Sequence, residues 1–227
     1  MYRKSVIRGK QNVSKAFFGG SFDPPHLGHL GVARAALAAG RCSEVVWFPS
    51  FVPPHKRQAE RAPFAHRLAM VRLLIDGEAG MSVSAFEDEL RLDPSYTVEV
   101  LRALRDRTGE TYRLLIGADS LLALHTWHRA RELAEEFDPI TYPRAGAEVT
   151  ADRLRAHWDA PLAEKLAAGM IPGTFFERSS TEIKNSMEKN RFRHHIIEAD
   201  GIPRPLQDYI VGHGLYRTPH DRGKGNS

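Results

Sequence analysis

The chain has 227 residues, 42% of them hydrophobic and 26% charged, with a formal net charge of +4 and a single cysteine, Cys42. That length and apolar content suffice for a sizeable core, while one cysteine excludes an internal disulfide framework and fits a reducing compartment. No apolar run approaches the roughly 18 residues that span a bilayer, and the first residues lack the apolar stretch of a secretory leader, so no membrane partner is expected and the location is read as cytoplasmic.

Arg3, Lys4, Arg8, Lys10 and Lys15 give the first fifteen residues five cations and no acid, leaving the rest close to −1. Residues 1–15 are therefore read as a basic, disordered arm. The body lacks the broad cationic surface that nucleic acid requires, so no nucleic-acid partner is expected. Residues 16–216 are expected to form one domain, and 217–227 a loose polar tail.

A strand is predicted over 16–18 and a helix over 28–39, with Gly19-Gly20-Ser21-Phe22-Asp23-Pro24-Pro25-His26-Leu27-Gly28-His29 between and across them. Gly19 and Gly20 let a ligand approach the main chain, and the two prolines stiffen the loop. A helix starting near Pro25 or His26 turns its free N–H groups and positive dipole end toward the loop, where anions bind. His26 and His29, three apart, are expected to share a helix face and reach one phosphate, with Gly28 keeping that face open. Cys42 as the lone cysteine argues against a zinc site, and no P-loop, dinucleotide fingerprint or hydrolase elbow is present.

A second strand, 45–48, leads into the rigid loop Pro49-Ser50-Phe51-Val52-Pro53-Pro54-His55-Lys56, whose Lys56 suits a phosphate or is a solvated surface lysine. A helix over 63–76 and a strand over 81–85 follow. Ser95-Tyr96-Thr97 opens a helix over 97–106, where Ser95 or Thr97 serves as a cap or a ligand contact. After a strand over 112–116 come Gly117, for close approach, and Asp119, which fits a ribose or an N-cap equally well. Trp127 and His128 fall in a helical stretch over 120–136, as core or as a stacking platform. Strands over 139–142 and 174–176 precede Ser179-Ser180-Thr181, which opens a helix over 181–190. Ser179 and Glu182 fit a capping box, and three hydroxyls followed by Lys184 suit a triphosphate. The alternation of strand and helix predicts an α/β fold, a doubly wound parallel sheet with its ligand beyond the carboxyl ends of the strands.

These motifs resemble the HxGH nucleotidyltransferases, and among them the bacterial nicotinate-mononucleotide adenylyltransferases, from about residue 16 to 216. The resemblance rests on GGSFDPPHLGHL at 19–30, PSFVPPHK at 49–56, SYTVEVL at 95–101, GADSLLALHTWH at 117–128, YPRAG at 142–146, SSTEIK at 179–184 and PLQDYIVGHGLY at 205–216. It implies a Rossmann-like fold and transfer of the adenylyl group of ATP to nicotinate mononucleotide. It further implies that His26 and His29 act on the ATP phosphates. Gly19, Gly20, Ser21, Phe22, Gly28, Gly117, Asp119, Arg144, Ser179, Ser180, Thr181 and Lys184 would complete the ATP site. Lys56, Tyr96, Thr97, Trp127 and His128 would hold the mononucleotide. Magnesium is implied on the triphosphate, carried by the substrate.

Lys184 stands where the family usually has arginine, keeping the charge without the bidentate fork; Arg178 is the candidate to compensate. Arg144-Ala145 replaces an arginine-proline pair. The segment 185–204 is longer than in the family, and its basic cluster Lys189, Arg191 and Arg193 reads as a solvated helix face. Competing readings are a related transferase acting on nicotinamide mononucleotide or on phosphopantetheine, and a nucleotide-binding sensor without turnover. Whether the protein is a homo-oligomer is left open by the sequence.

Overall fold

The computed structural model describes residues 14–51, 61–92, 94–173, 179–189 and 201–216. Five strands, β1 (Lys15–Gly20), β2 (Val45–Pro49), β3 (Met81–Val83), β4 (Tyr112–Gly117) and β5 (Ile140–Tyr142), pair in parallel in the order β3-β2-β1-β4-β5. This is the doubly wound α/β arrangement that the alternating pattern predicts. β1 occupies the centre, and its residues alternate between two cores. Phe17 joins Val46, Phe48 and Leu114 on one face, while Ala16 and Phe18 join Val45, Trp47 and Leu115 on the other.

The first face is closed by α4 (Thr97–Thr108), α5 (Ala118–Ala123), α6 (Ala130–Phe137) and α8 (Ala160–Ala168), which contribute Leu101, Leu121, Leu133 and Leu166. The second is closed by α1 (Leu27–Ala38) and α2 (Phe64–Leu74), through Leu30, Ala33 and Val71. Each of these leucines, fully buried, contributes roughly 1.5–3 kcal/mol relative to exposure. A third cluster seats α9 (Ser180–Lys189) and α10 (Arg204–Gly212) on α2, where Ile183, Met187, Leu206 and Ile210 surround Met70. The helix carrying the serine-serine-threonine motif is thereby anchored to the element behind the β2 loop.

α4 follows its sequence closely: Val98, Leu101 and Leu104 form the buried stripe, Arg105 and Arg107 sit in the last turn, and Gly109 ends it with φ 68°. The predicted helix over 120–136 is broken instead. α5 passes into a 3₁₀ turn, Leu124–Thr126, Trp127 is extended, and α6 begins only at Ala130 after Arg129 takes a left-handed φ of 52°. Thr126 Oγ1 donates to the Ala123 carbonyl at 2.8 Å, and His125 Nδ1 lies 3.0 Å from the Leu122 carbonyl oxygen. Such local side-chain bonds compete with the helical ladder. The predicted strand over 81–85 is shorter, ending at Val83.

Four helices went unpredicted: α3 (Phe86–Leu90), α7 (Ala151–Leu154), α10 and α8. The last has a legible start, since Asp159 caps the Leu162 N–H at 3.1 Å and a proline occupies its first turn. Among the described residues no helix is long and apolar enough to cross a membrane. Lys56, Arg178, the strand over 174–176, most of the 1–15 arm, the tail from 217 and the core of the 185–204 segment lie outside the described residues.

Candidate active site

In this strand order the chain winds outward from β1 to β3 and returns to β4, so the loops after β1 and β4 diverge and leave a crevice at the carboxyl ends of the strands. Three cavities open along it. The largest, about 560 Å³, is lined by Ser21 through Asp23, His26, His29, Arg61, Tyr142, Arg144, Ser179 through Thr181 and Lys184. A second of about 210 Å³ shares Ser21 with the first. The third, about 450 Å³, shares Ser95, Thr97 and Trp127 with the second. The three form one tract from the phosphate loop to the tryptophan.

His26 is the N-cap of α1 rather than a residue of its first turn, so the two imidazoles do not meet by helical spacing as expected. They meet through a capping exchange. His26 Nδ1 accepts the Gly28 N–H at 3.1 Å, and the His26 N–H is donated to His29 Nδ1 at 3.3 Å. The rings lie 3.8 Å apart, tilted by 40°. With both Nδ1 atoms accepting, each neutral ring carries its proton on Nε2, a tautomer assigned from these bonds. Burial, and then the charge of Arg144, lower the His26 pKa to about 4; burial, His26 and Arg144 hold His29 well below 6.5. The pair is therefore a set of neutral N–H donors at neutral pH. Phe22, at φ 47°, is fixed by its packing on Trp47 and His29 with ring centroids 5.1 Å away in each case.

α9 supplies the opposite chemistry, hydroxyls and a cation. Ser179 and Glu182 make the capping box: the Glu182 carboxylate accepts the Ser179 N–H at 2.6 Å, and Ser179 Oγ accepts the Glu182 N–H at 3.2 Å. Ser180 Oγ donates to the Pro24 carbonyl at 2.9 Å, tying the helix to the histidine loop. Thr181 is exposed on the cavity wall. Lys184 Nζ lies 3.0 Å from Asp23 Oδ2, and Asp23 also accepts the Ala62 N–H at 3.1 Å and the Tyr216 hydroxyl at 2.8 Å. The lysine thus lines the cavity with its charge already matched by a carboxylate.

After β4, Gly117 caps α5, and Asp119 makes no capping bond. Its carboxylate instead lies 3.6 Å from Arg144 Nε and folds over Gly117, where a Cβ would sit 2.5 Å from Asp119 Oδ1 and 3.2 Å from the Tyr142 ring. The absence of a side chain at 117 is what admits this approach. At the far end, Tyr96 stacks on His128 at 4.1 Å, and half-buried Trp127 packs on the core while facing both smaller cavities. Neither Ser95 nor Thr97 caps α4. Ser95 Oγ donates to Glu87 Oε2 at 2.9 Å, and that carboxylate oxygen also accepts the Phe51 N–H at 3.2 Å.

A cytidylyltransferase-like family model matches residues 17–186. A protein of Gloeobacter violaceus named "Probable nicotinate-nucleotide adenylyltransferase" is 37% identical over 205 residues, covering 89% of this chain and 95% of that one. One of Salinibacter ruber with the same name is 37% identical over 206 residues, covering 90% and 98%. The chain belongs to the nicotinate-nucleotide adenylyltransferase family. In fold it matches the Plasmodium falciparum nicotinic acid mononucleotide adenylyltransferase complexed with NaAD, with a TM-score of 0.70 at 17% identity over 90% of this chain and 97% of that one.

Of the residues that the family resemblance singles out, the crevice brings together Ser21, Phe22, His26, Gly28, His29, Arg144, Ser179, Ser180, Thr181 and Lys184 around one cavity. Gly19, Gly20, Thr97 and Trp127 line the second, and Tyr96 and His128 the third. Gly117 and Asp119 reach the first through Arg144 and Tyr142. Three charged residues escaped the sequence reading. Arg67, 2% exposed, donates to the carbonyls of Ala62, Ser21 and Ser50 at 3.0, 2.7 and 2.7 Å and so pins both loops. Glu87, 7% exposed, and Arg61 line the second and first cavities. Glu87 is one of three acids in Phe86-Glu87-Asp88-Glu89-Leu90, and nothing in that run marks it out.

Proposed function

We propose that the protein transfers the adenylyl group of ATP to the 5′-phosphate of nicotinate mononucleotide, giving deamido-NAD and pyrophosphate in NAD biosynthesis. The observation that carries the reading is the continuous tract of cavities, with two neutral imidazole donors at one end and an aromatic pocket at the other. An oxygen of the acceptor phosphate attacks the α-phosphorus of ATP, forming a P–O–P link as the bond to the β-phosphate breaks. No side-chain nucleophile is needed, and the protein acts by positioning and by stabilising charge.

His26 and His29 donate to the α- and β-phosphate oxygens, where charge grows in the transition state, and their neutrality spares the enzyme the loss of a proton on the way. Thr181 and the N-terminus of α9 face the terminal phosphates, while Arg144 and Asp119 face the adenosine. Thr97 and Trp127, with the Tyr96–His128 stack, receive the pyridine ring; Lys56 is assigned to the mononucleotide phosphate on the family motif alone. The first cavity's wall offers N–H, O–H and cationic groups, and its one carboxylate on the phosphate loop, Asp23, is engaged three times. That donor set suits phosphate oxygens, so a magnesium ion is held by the triphosphate, where it neutralises charge on the leaving group.

The test is pyrophosphate release from magnesium-ATP with nicotinate mononucleotide, nicotinamide mononucleotide and phosphopantetheine side by side. The highest kcat/KM belongs to the nicotinate compound. Preference for either of the others overturns the pocket assignment, and ATP binding with no release under any of them overturns the enzymatic reading.

A further inference from the structure

Arg61 lines the same cavity as His26, His29, Thr181 and Lys184, and it has no place in the motifs of the family. Its Nε and Nη1 atoms are buried without a hydrogen-bond partner. Two nitrogens of a half-buried guanidinium are thus shielded from water with no acceptor in return, which is costly. The other cations of the cavity are matched: Lys184 by Asp23, and Arg144 by Asp119. Arg67, behind the wall, gives its donors to three backbone carbonyls. Its pKa is lowered by burial and then by the charge of Arg61. Among the described residues no carboxylate answers Arg61. The cavity therefore holds an excess of positive charge, carried by the Arg61 guanidinium.

We propose that Arg61 binds the β- and γ-phosphates of ATP and retains them as pyrophosphate leaves, supplying from another wall the forked grip that Lys184, standing where the family usually has arginine, does not provide. A guanidinium offers the planar, charge-assisted donors that a lysine ammonium paired with Asp23 cannot. The assignment rests on the first cavity being the triphosphate site.

The test uses the full chain and the variants Arg61→Met, Arg61→Lys and His29→Ala, with inorganic pyrophosphate as the probe in thermal-shift titrations and steady-state kinetics for both substrates. Arg61→Met is expected to lower kcat/KM for ATP by about 10–100-fold and abolish stabilisation by pyrophosphate, with KM for nicotinate mononucleotide within about twofold of wild type. Its ligand-free melting temperature should rise, since two buried, unpaired polar nitrogens are gone; a merely structural arginine would lower it. Arg61→Lys should recover part of the ATP affinity. Wild-type ATP kinetics and pyrophosphate protection in Arg61→Met, alongside an inactive His29→Ala, would overturn the role of Arg61 alone. Full activity in both would overturn the phosphate-site reading beneath it.

Discussion

Glu87 contributes stability that is lost as pH rises, and replacing it with glutamine should remove that contribution. The carboxyl is 7% exposed and lines the second cavity, where burial pushes its pKa up from 4.5 to about 7 against the opposing pull of Ser95, the Phe51 N–H and the Arg67 charge. The unfolded chain ionises near 4.5, whereas the native protein keeps the proton to about 7. Between those values the native state binds more protons, so stability is fully present below 4.5 and is lost as pH climbs through 7. The gap corresponds to about 3 kcal/mol. Glu87→Gln keeps an oxygen able to accept from both Ser95 Oγ and the Phe51 N–H, the two bonds made now by a single carboxylate oxygen. Urea denaturation of both proteins at pH 5 and pH 8 measures the difference. The variant should gain on the wild type by about 2–3 kcal/mol across that interval. An offset equal at both pH values, or one that shrinks as pH rises, would refute the argument that burial governs this carboxyl.

Three other outcomes follow from the site. His29→Ala should cost more than tenfold in kcat, or about 1.4 kcal/mol of transition-state stabilisation, with the far-UV spectrum and mononucleotide binding preserved; a variant keeping over a tenth of the rate would sink its role. His26 is neutral in the native state down to about pH 4, whereas the unfolded imidazole takes up a proton below 6.5, so acidification erodes stability through that window. His26→Asn, which keeps a capping oxygen, should lose about 2 kcal/mol less than wild type between pH 7 and pH 5, read by urea titration, and equal losses would contradict it. Gly117→Ala places a methyl group 2.5 Å from Asp119 Oδ1 and should raise KM for ATP several-fold while sparing the mononucleotide; parallel increases in both KM values would show that the damage is to the fold rather than to the Asp119–Arg144 contact.

The five strands, most of the long helices and the loops that carry the chemistry are legible along the chain, because each depends on neighbours within a turn or two. The glycine-proline-histidine loop is recognisable by composition, and the Ser179–Glu182 cap by its spacing. What the sequence could not reveal is set by residues far apart. Lys184 meets Asp23 across 161 positions, which turns an apparent phosphate cation into half of an ion pair. Arg67, 46 and 17 positions from Ser21 and Ser50, pins the two loops at the mouth of the crevice. The break at Leu124–Thr126 places Trp127 in the tract, although the residues around it have ordinary helical character. Local pattern determines which segments are strands and helices, since hydrophobic period and capping act over a few residues. Burial and charge pairing decide which of the many like charges matter, and these exist only once the sheet has folded with β1 at its centre and brought its loops to one edge.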